Sequence, residues 1–160
     1  MTSSGLLVLR LALGVALVTH GAHGLFGVFA GPNVGPGGLS QVTSYMAALG
    51  LTPAFGVAVT DGVIRLGGGL LVGAGWLTRA ASAVVATYLF LMLFRDNARW
   101  GLFLNWTLDP ARGHGMEFSL VLIGGLLCLT LTGAGAWSID GVRSRAGAER
   151  AAGHPRLTVR

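Results

Sequence analysis

Long apolar stretches alternate with short glycine-rich or polar breaks along the chain, and four of the stretches reach helical spanning length. They cover residues 5–27, 53–76, 79–96 and 115–137. A helix needs about 20 residues at about 1.5 Å each to cross the hydrocarbon core. None of the four alternates with the period of two that marks a membrane β-strand. Backbone groups in lipid must find partners within their own segment, so the blocks read as helices. Thr52-Pro53 reads as an N-cap and first-turn proline for the second block, and Thr78 as the N-cap of the third. The sequence therefore predicts an all-α, polytopic membrane protein: a four-transmembrane-helix bundle over residues 1–140, followed by an Arg-rich tail over 141–160.

The breaks have their own character. Residues 28–51 carry no charge; they contain a Gly/Pro turn region at 30–38 and then a candidate short interfacial helix at 39–51. Residues 97–113 place Trp100, Phe103 and Trp106 at helical spacing, as in a segment lying on the membrane surface. The four tryptophans (76, 100, 106 and 137) fall at block ends or in this loop, where an interfacial aromatic belt belongs. The first block has no basic residue before Arg10 and outruns a secretory signal, so it reads as retained.

Composition narrows the function classes. Apolar residues make up 52% of the 160 and charged residues 11%, against about 25% in a soluble domain. All 11 basic residues are arginines. They sit at block edges and in the tail, so the net charge of +5 points to membrane topology and not to nucleic acid. With both termini inside, seven arginines (10, 79, 143, 145, 150, 156 and 160) face the cytoplasm and three (95, 99 and 112) face outward. The positive-inside rule then selects N-in, C-in. The single Cys128 excludes an internal disulfide, and the Gly-rich loop lacks the Gly-Lys-Ser/Thr of a phosphate-binding loop.

Ionisable side chains inside a membrane cost about 2.5–3.5 kcal/mol each, so every one needs a reason. Asp61 and Arg65 lie four apart, on one face of the second block, with Asp61 roughly 12 Å and Arg65 roughly 18 Å from its outer end. His20 and His23 share a face near the outer end of the first block, and Glu117 opens the fourth from the same side. Tyr88 of the third reaches a similar level. These six residues are the candidate polar pocket. Two readings stand for the charges: mutual neutralisation that orients the helices, or a pocket that binds a headgroup or relays protons. Haem would need facing axial ligands, and only His114, at the water interface, could oppose His20 or His23. A metal held by His20, His23 and Glu117 has no diagnostic spacing, so no metal is assigned.

Several stretches together resemble the DoxX/DoxD-like family of small four-helix bacterial membrane proteins. They are Leu9-Arg-Leu-Ala-Leu-Gly14 leading to His20-Gly-Ala-His-Gly-Leu-Phe-Gly27, then Gly67 to Arg79, Gly115-Met-Glu-Phe118, and Trp137-Ser-Ile-Asp140. His20, Glu117 and Arg79 match polar positions of the family pattern. Arg65 stands where the family usually has a glutamate, and His23 where Gln is frequent. The resemblance implies a bacterial inner-membrane protein tied to redox chemistry, with a protein partner in a membrane redox complex and quinone as the candidate cofactor. One reading is an auxiliary subunit or anchor whose polar pocket accepts a quinone headgroup. Another is a quinone-reducing subunit, as in thiosulfate:quinone oxidoreductase, with Glu117, His20 and Asp61 as proton donors. A purely structural accessory role and a small transporter or proton path are further alternatives, although no inverted repeat supports the last.

Overall fold

The computed structural model describes residues 2–31, 34–109 and 111–152, and among these the secondary structure is helical. The helices are α1 (Ser3–Phe26), α2 (Gly38–Ala48), α3 (Ala54–Ala74), α4 (Thr78–Met92), α5 (Glu117–Thr132) and α6 (Ile139–Ala152). The Thr2 hydroxyl caps α1 by accepting the Gly5 N–H, and Gly27, left-handed at φ 69°, ends it. The Thr52–Pro53 bond is cis; α3 begins at Ala54 with Pro53 in the cap position, one step later than the Thr52 cap that the sequence suggests. α4 runs on through a π turn (Leu93–Asn97) and a 3-10 turn (Ala98–Trp100), so helical backbone continues past residue 96. α1, α3 and the continuous helix Thr78–Trp100 are long and apolar enough to cross a bilayer.

α5 departs from the expected block of 115–137. It stops at Thr132 because Gly133 turns out of the helix at φ 82°, and its 16 residues span only about 24 Å. Trp137 therefore lies in an irregular stretch. The segment 97–113 also departs from expectation: helical backbone ends at Gly101, and Phe103 and Trp106 sit on an extended loop instead of a surface helix. Arg156 and Arg160 lie outside the described residues.

α1, α3, α4 and α5 pack in that order and close as a ring, while α2 lies across α1 and α3. Inside are Leu13 and Leu17 of α1, Val72 of α3, Val85 and Leu89 of α4, and Leu126 and Leu129 of α5. Outside, Val8, Val15, Val63, Leu70, Val84, Leu91 and Val121 are exposed, so large apolar side chains cover the lateral surface. A soluble protein avoids such a surface, whereas lipid tails cover it.

The tightest seam joins α1 to α3 through glycines. A Cβ on Gly14 would come within 2.9 Å of the Gly73 Cα, and one on Gly69 within 2.8 Å of the Leu17 Cβ. A Cβ on Gly21 would overlap the backbone nitrogen of Leu66. Small residues of this kind let helix backbones approach closely where apolar lipid offers no hydrophobic drive.

At the end that carries the described N-terminal and α6 segments, a polar lock joins α1, α4 and α6. Asp140 accepts the N–H groups of Leu77 and Thr78 and the Thr78 hydroxyl, all at 2.9 Å. It caps α4 from another segment, a role the sequence assigns to Thr78. Arg10, expected on the cytoplasmic surface, is buried instead. Its Nη2 donates to the Trp137 carbonyl at 2.5 Å. Burial raises the Asp140 pKa, but the bonds from Thr78 and Leu77 and the nearby Arg143 outweigh it and hold the carboxyl below its usual 3.8.

Two outcomes follow from these contacts. Gly21→Ala forces α1 and α3 apart and lowers stability by about 1–3 kcal/mol in a detergent melt. Gly67→Ala, with open space at its Cβ, leaves stability unchanged or slightly raised. Equal melting of the two variants would contradict the seam. For Asp140 the folded pKa is depressed, so its stabilisation is full above the unfolded value and is lost as pH falls through the folded one. The melting gap between wild type and Asp140→Asn is open at pH 7 and closes below about pH 4; a gap independent of pH would count against the trans cap.

Candidate functional site

The opposite end of the bundle holds a cavity of about 290 Å³ between α1, α2, α3, the end of α4 with its π turn, and α5. Antiparallel register along the glycine seam sets its walls. Gly21 backs onto Leu66, and Leu25 packs where a Cβ on Gly62 would stand. His20 and His23 are thereby held opposite the turn of α3 that carries Asp61 and Arg65.

Asp61 is the polar centre. Buried at 7% exposure, its Oδ1 accepts from Arg65 Nε at 2.7 Å and from the Tyr88 hydroxyl at 2.9 Å. The spacing of four that puts Asp61 and Arg65 on one face makes them an ion pair. Arg65 keeps 22% of its side chain exposed and lines the cavity. Its two Nη groups have no hydrogen-bond partner among the described residues, leaving donors for a ligand.

Both histidines line the same space. His20 Nδ1 lies 2.7 Å from the Ala16 carbonyl, and His23 Nδ1 lies 2.9 Å from the Val28 carbonyl. A carbonyl only accepts, so each Nδ1 carries the hydrogen, and in the neutral ring each Nε2 is left as an acceptor. The His20 ring also packs against Phe118, centroids 5.9 Å apart. The site thus offers guanidinium donors and imidazole acceptors within an apolar frame of Met46, Leu89, Met92 and Leu122.

Of the six residues singled out in the sequence, His20, His23, Asp61 and Arg65 share the cavity wall, and Tyr88 joins them through Asp61. Glu117 does not join them. Its Oε2 accepts the Leu104 N–H at 3.2 Å, and its own N–H donates to the Leu102 carbonyl at 2.8 Å. The N–H groups of Gly115 and Met116 donate to the carbonyls of Phe103 and Gly101. The loop 101–104 therefore satisfies the start of α5, which has no side-chain cap, and Glu117 closes that arrangement. The metal set of His20, His23 and Glu117 is not assembled, since the three turn to separate backbone partners. His114 takes the Asn105 N–H on its Nδ1 and is fixed in the loop between α4 and α5, not turned to His20 as an axial partner.

Other residues of the site were not among those six. α2 contributes Val42, Tyr45 and Met46, and the Tyr45 hydroxyl donates to Asp96 in a short hydrogen bond. Burial and the Asp96 carboxylate push the Tyr45 hydroxyl well above its ordinary pKa, with Arg99 opposing. Asn97 links the helix ends, donating to the His114 carbonyl at 3.0 Å and accepting from Ser119 at 3.2 Å. The apolar spacing 42, 45, 46, 49 within a charge-free stretch was the sequence signal for α2. Buried Asn105 organises the loop between α4 and α5 with bonds to the carbonyls of Asp109 and Arg112.

The model of the family described as DoxX matches residues 5–95. That span includes His20, His23, Asp61, Arg65 and Tyr88. The chain is also 31% identical over 140 residues to inner membrane protein YqjF of Escherichia coli (strain K12), covering 85% of this chain and 89% of that protein. No solved structure matches it.

Proposed function

Because the chain belongs to the DoxX family and crosses the bilayer several times, we propose that it is an integral subunit of a membrane redox complex whose cavity receives a quinone headgroup. The observation that carries this reading is the pairing of unused Arg65 Nη donors with the Nε2 acceptors of His20 and His23 in one partly apolar space. A quinone ring is apolar with two carbonyl oxygens. One carbonyl accepts from Arg65, and after reduction a ring hydroxyl donates to a histidine. Leu89, Met92 and Leu122 flank the ring. Electrons come from a partner protein; the chain supplies binding and proton contacts.

The partner docks at the cavity end in this proposal. Phe103, Trp106 and Leu108 project there with 64%, 74% and 79% exposure, an apolar cluster on an outer loop. The end bearing α6 faces the cytoplasm. With Arg10 buried, Arg79, Arg143, Arg145, Arg150, Arg156 and Arg160 still outnumber Arg95, Arg99 and Arg112. The membrane in question is a bacterial inner membrane, as in the name of the similar protein from Escherichia coli.

The test combines binding and recovery. A short-chain ubiquinone analogue raises the melting temperature of the purified protein, and His20→Leu weakens its binding about fivefold, the effect of one lost hydrogen bond. The hydrogen bond of His20 lies within its own helix and leucine keeps an apolar contact with Phe118, so the variant folds. Extraction in mild detergent brings down an oxidoreductase in stoichiometric amount. If the analogue leaves the wild-type melt unchanged, Asp61 and Arg65 are a structural pair only; if the protein emerges alone, the subunit reading fails.

A further inference from the structure

At the other end of the molecule, remote from the cavity just described, a larger cleft of about 720 Å³ opens between the start of α1, the stretch 136–138 and the first turns of α6. Its floor is apolar. Leu7, Ile139 and Val142 face it together with the ring of Trp137, which is 68% exposed. Its rim carries Arg143 and Arg145. The two arginines differ in how they are held. Arg145 is fixed, its Nη2 donating to the Ala136 carbonyl at 2.8 Å and its Nε to the Gly141 carbonyl at 3.3 Å. Arg143 is exposed and has no hydrogen bond among the described residues.

The charge in this cleft is only partly balanced from within. Asp140, in the first turn of α6, interacts electrostatically with Arg143, but its carboxylate spends its hydrogen bonds on the N–H groups of Leu77 and Thr78 and the Thr78 hydroxyl, and it forms no ion pair with either arginine. The other acidic residue of α6, Glu149, lies near its far end. α5 has already ended at Thr132, so the cleft sits where the lateral apolar surface gives way to the polar end of the bundle. Its depth, an apolar floor under a cationic rim and a tryptophan beside it are the arrangement of a headgroup-level site.

We propose that this cleft binds one anionic phospholipid, its phosphate on Arg143 and Arg145 and its first acyl methylenes against Leu7 and Val142. A zwitterionic lipid brings its own cation to the rim and loses the advantage. A soluble anion gains nothing from the floor. The occupied cleft staples α6 to the membrane surface, next to the Asp140 lock that already holds it to α4.

The test uses the full-length protein in detergent, with phosphatidylglycerol and phosphatidylcholine added in turn and retention read by native mass spectrometry. The expected result is selective retention of phosphatidylglycerol, reduced about fivefold by Arg143→Ala and largely restored by Arg143→Lys. Arg95→Ala, at the opposite end of the bundle, retains the lipid as wild type does. Lipid-free melting curves confirm that the variants are folded, and Val142→Ser supplies a second variant that weakens retention without touching charge. Equal retention of both lipids, undiminished retention by Arg143→Ala, or an equal stabilisation by soluble glycerol phosphate would each overturn the proposal. Quinone binding at the other cavity is unaffected by either outcome.

Discussion

The distance between α1 and α3 sets the rest of this bundle. Lipid tails are as apolar as leucine, so burying leucine between membrane helices yields no hydrophobic gain, and association rests on packing contact and on polar groups. Gly14 against Gly73, Gly21 against Leu66 and Leu25 against Gly62 form one antiparallel seam in which steps along α1 match steps back along α3. Because the backbones touch, neither helix can slide without a collision. This fixed register is what holds the two imidazoles of α1 near the charged turn of α3. A looser pair would leave Asp61 without a defined surrounding, and a buried carboxylate tolerates that poorly.

A second constraint, the need to satisfy every backbone polar group away from water, is met differently at the two ends. At the cavity end, backbone carbonyls of 101–103 serve the first N–H groups of α5, and side chains of Asn97, Asn105 and Glu117 fill the remaining roles. At the α6 end the work falls to charged side chains, with Asp140 capping α4 and Arg10 holding the carbonyl of Trp137. The cavity end therefore closes its helix ends with loop backbone beside a space lined by helices, and the α6 end closes them with charged side chains.

Much of this was legible in the sequence because it depends on local spacing. The apolar blocks gave the helices, and the interval of four between Asp61 and Arg65 gave the ion pair. What escaped depends on contacts distant in the chain. Glu117 stands at the right depth for the pocket, yet its direction is decided by the Leu104 N–H, which no spacing rule reveals. Asp140 follows Thr78 by 62 residues, and the link between them appears only when α5 brings the chain back. Arg10 looked like a topology signal because burial cannot be read from one charge at a helix start. The early end of α5 hinges on the positive φ of one glycine in an apolar run.

The chemistry assigned to the cavity requires that water and a polar ligand reach Asp61 and Arg65 from the outer face of the membrane, and this access is the central claim. Ser119 lines the cavity, while Ser82 is fully buried in the bundle. The direct measurement is to place single cysteines at these positions in a Cys128→Ser background and add a membrane-impermeant maleimide to intact spheroplasts. The account predicts that Ser119→Cys is labelled from outside and Ser82→Cys is not. Labelling of Ser119→Cys only after the cytoplasmic face is opened, or no labelling at all, would contradict it.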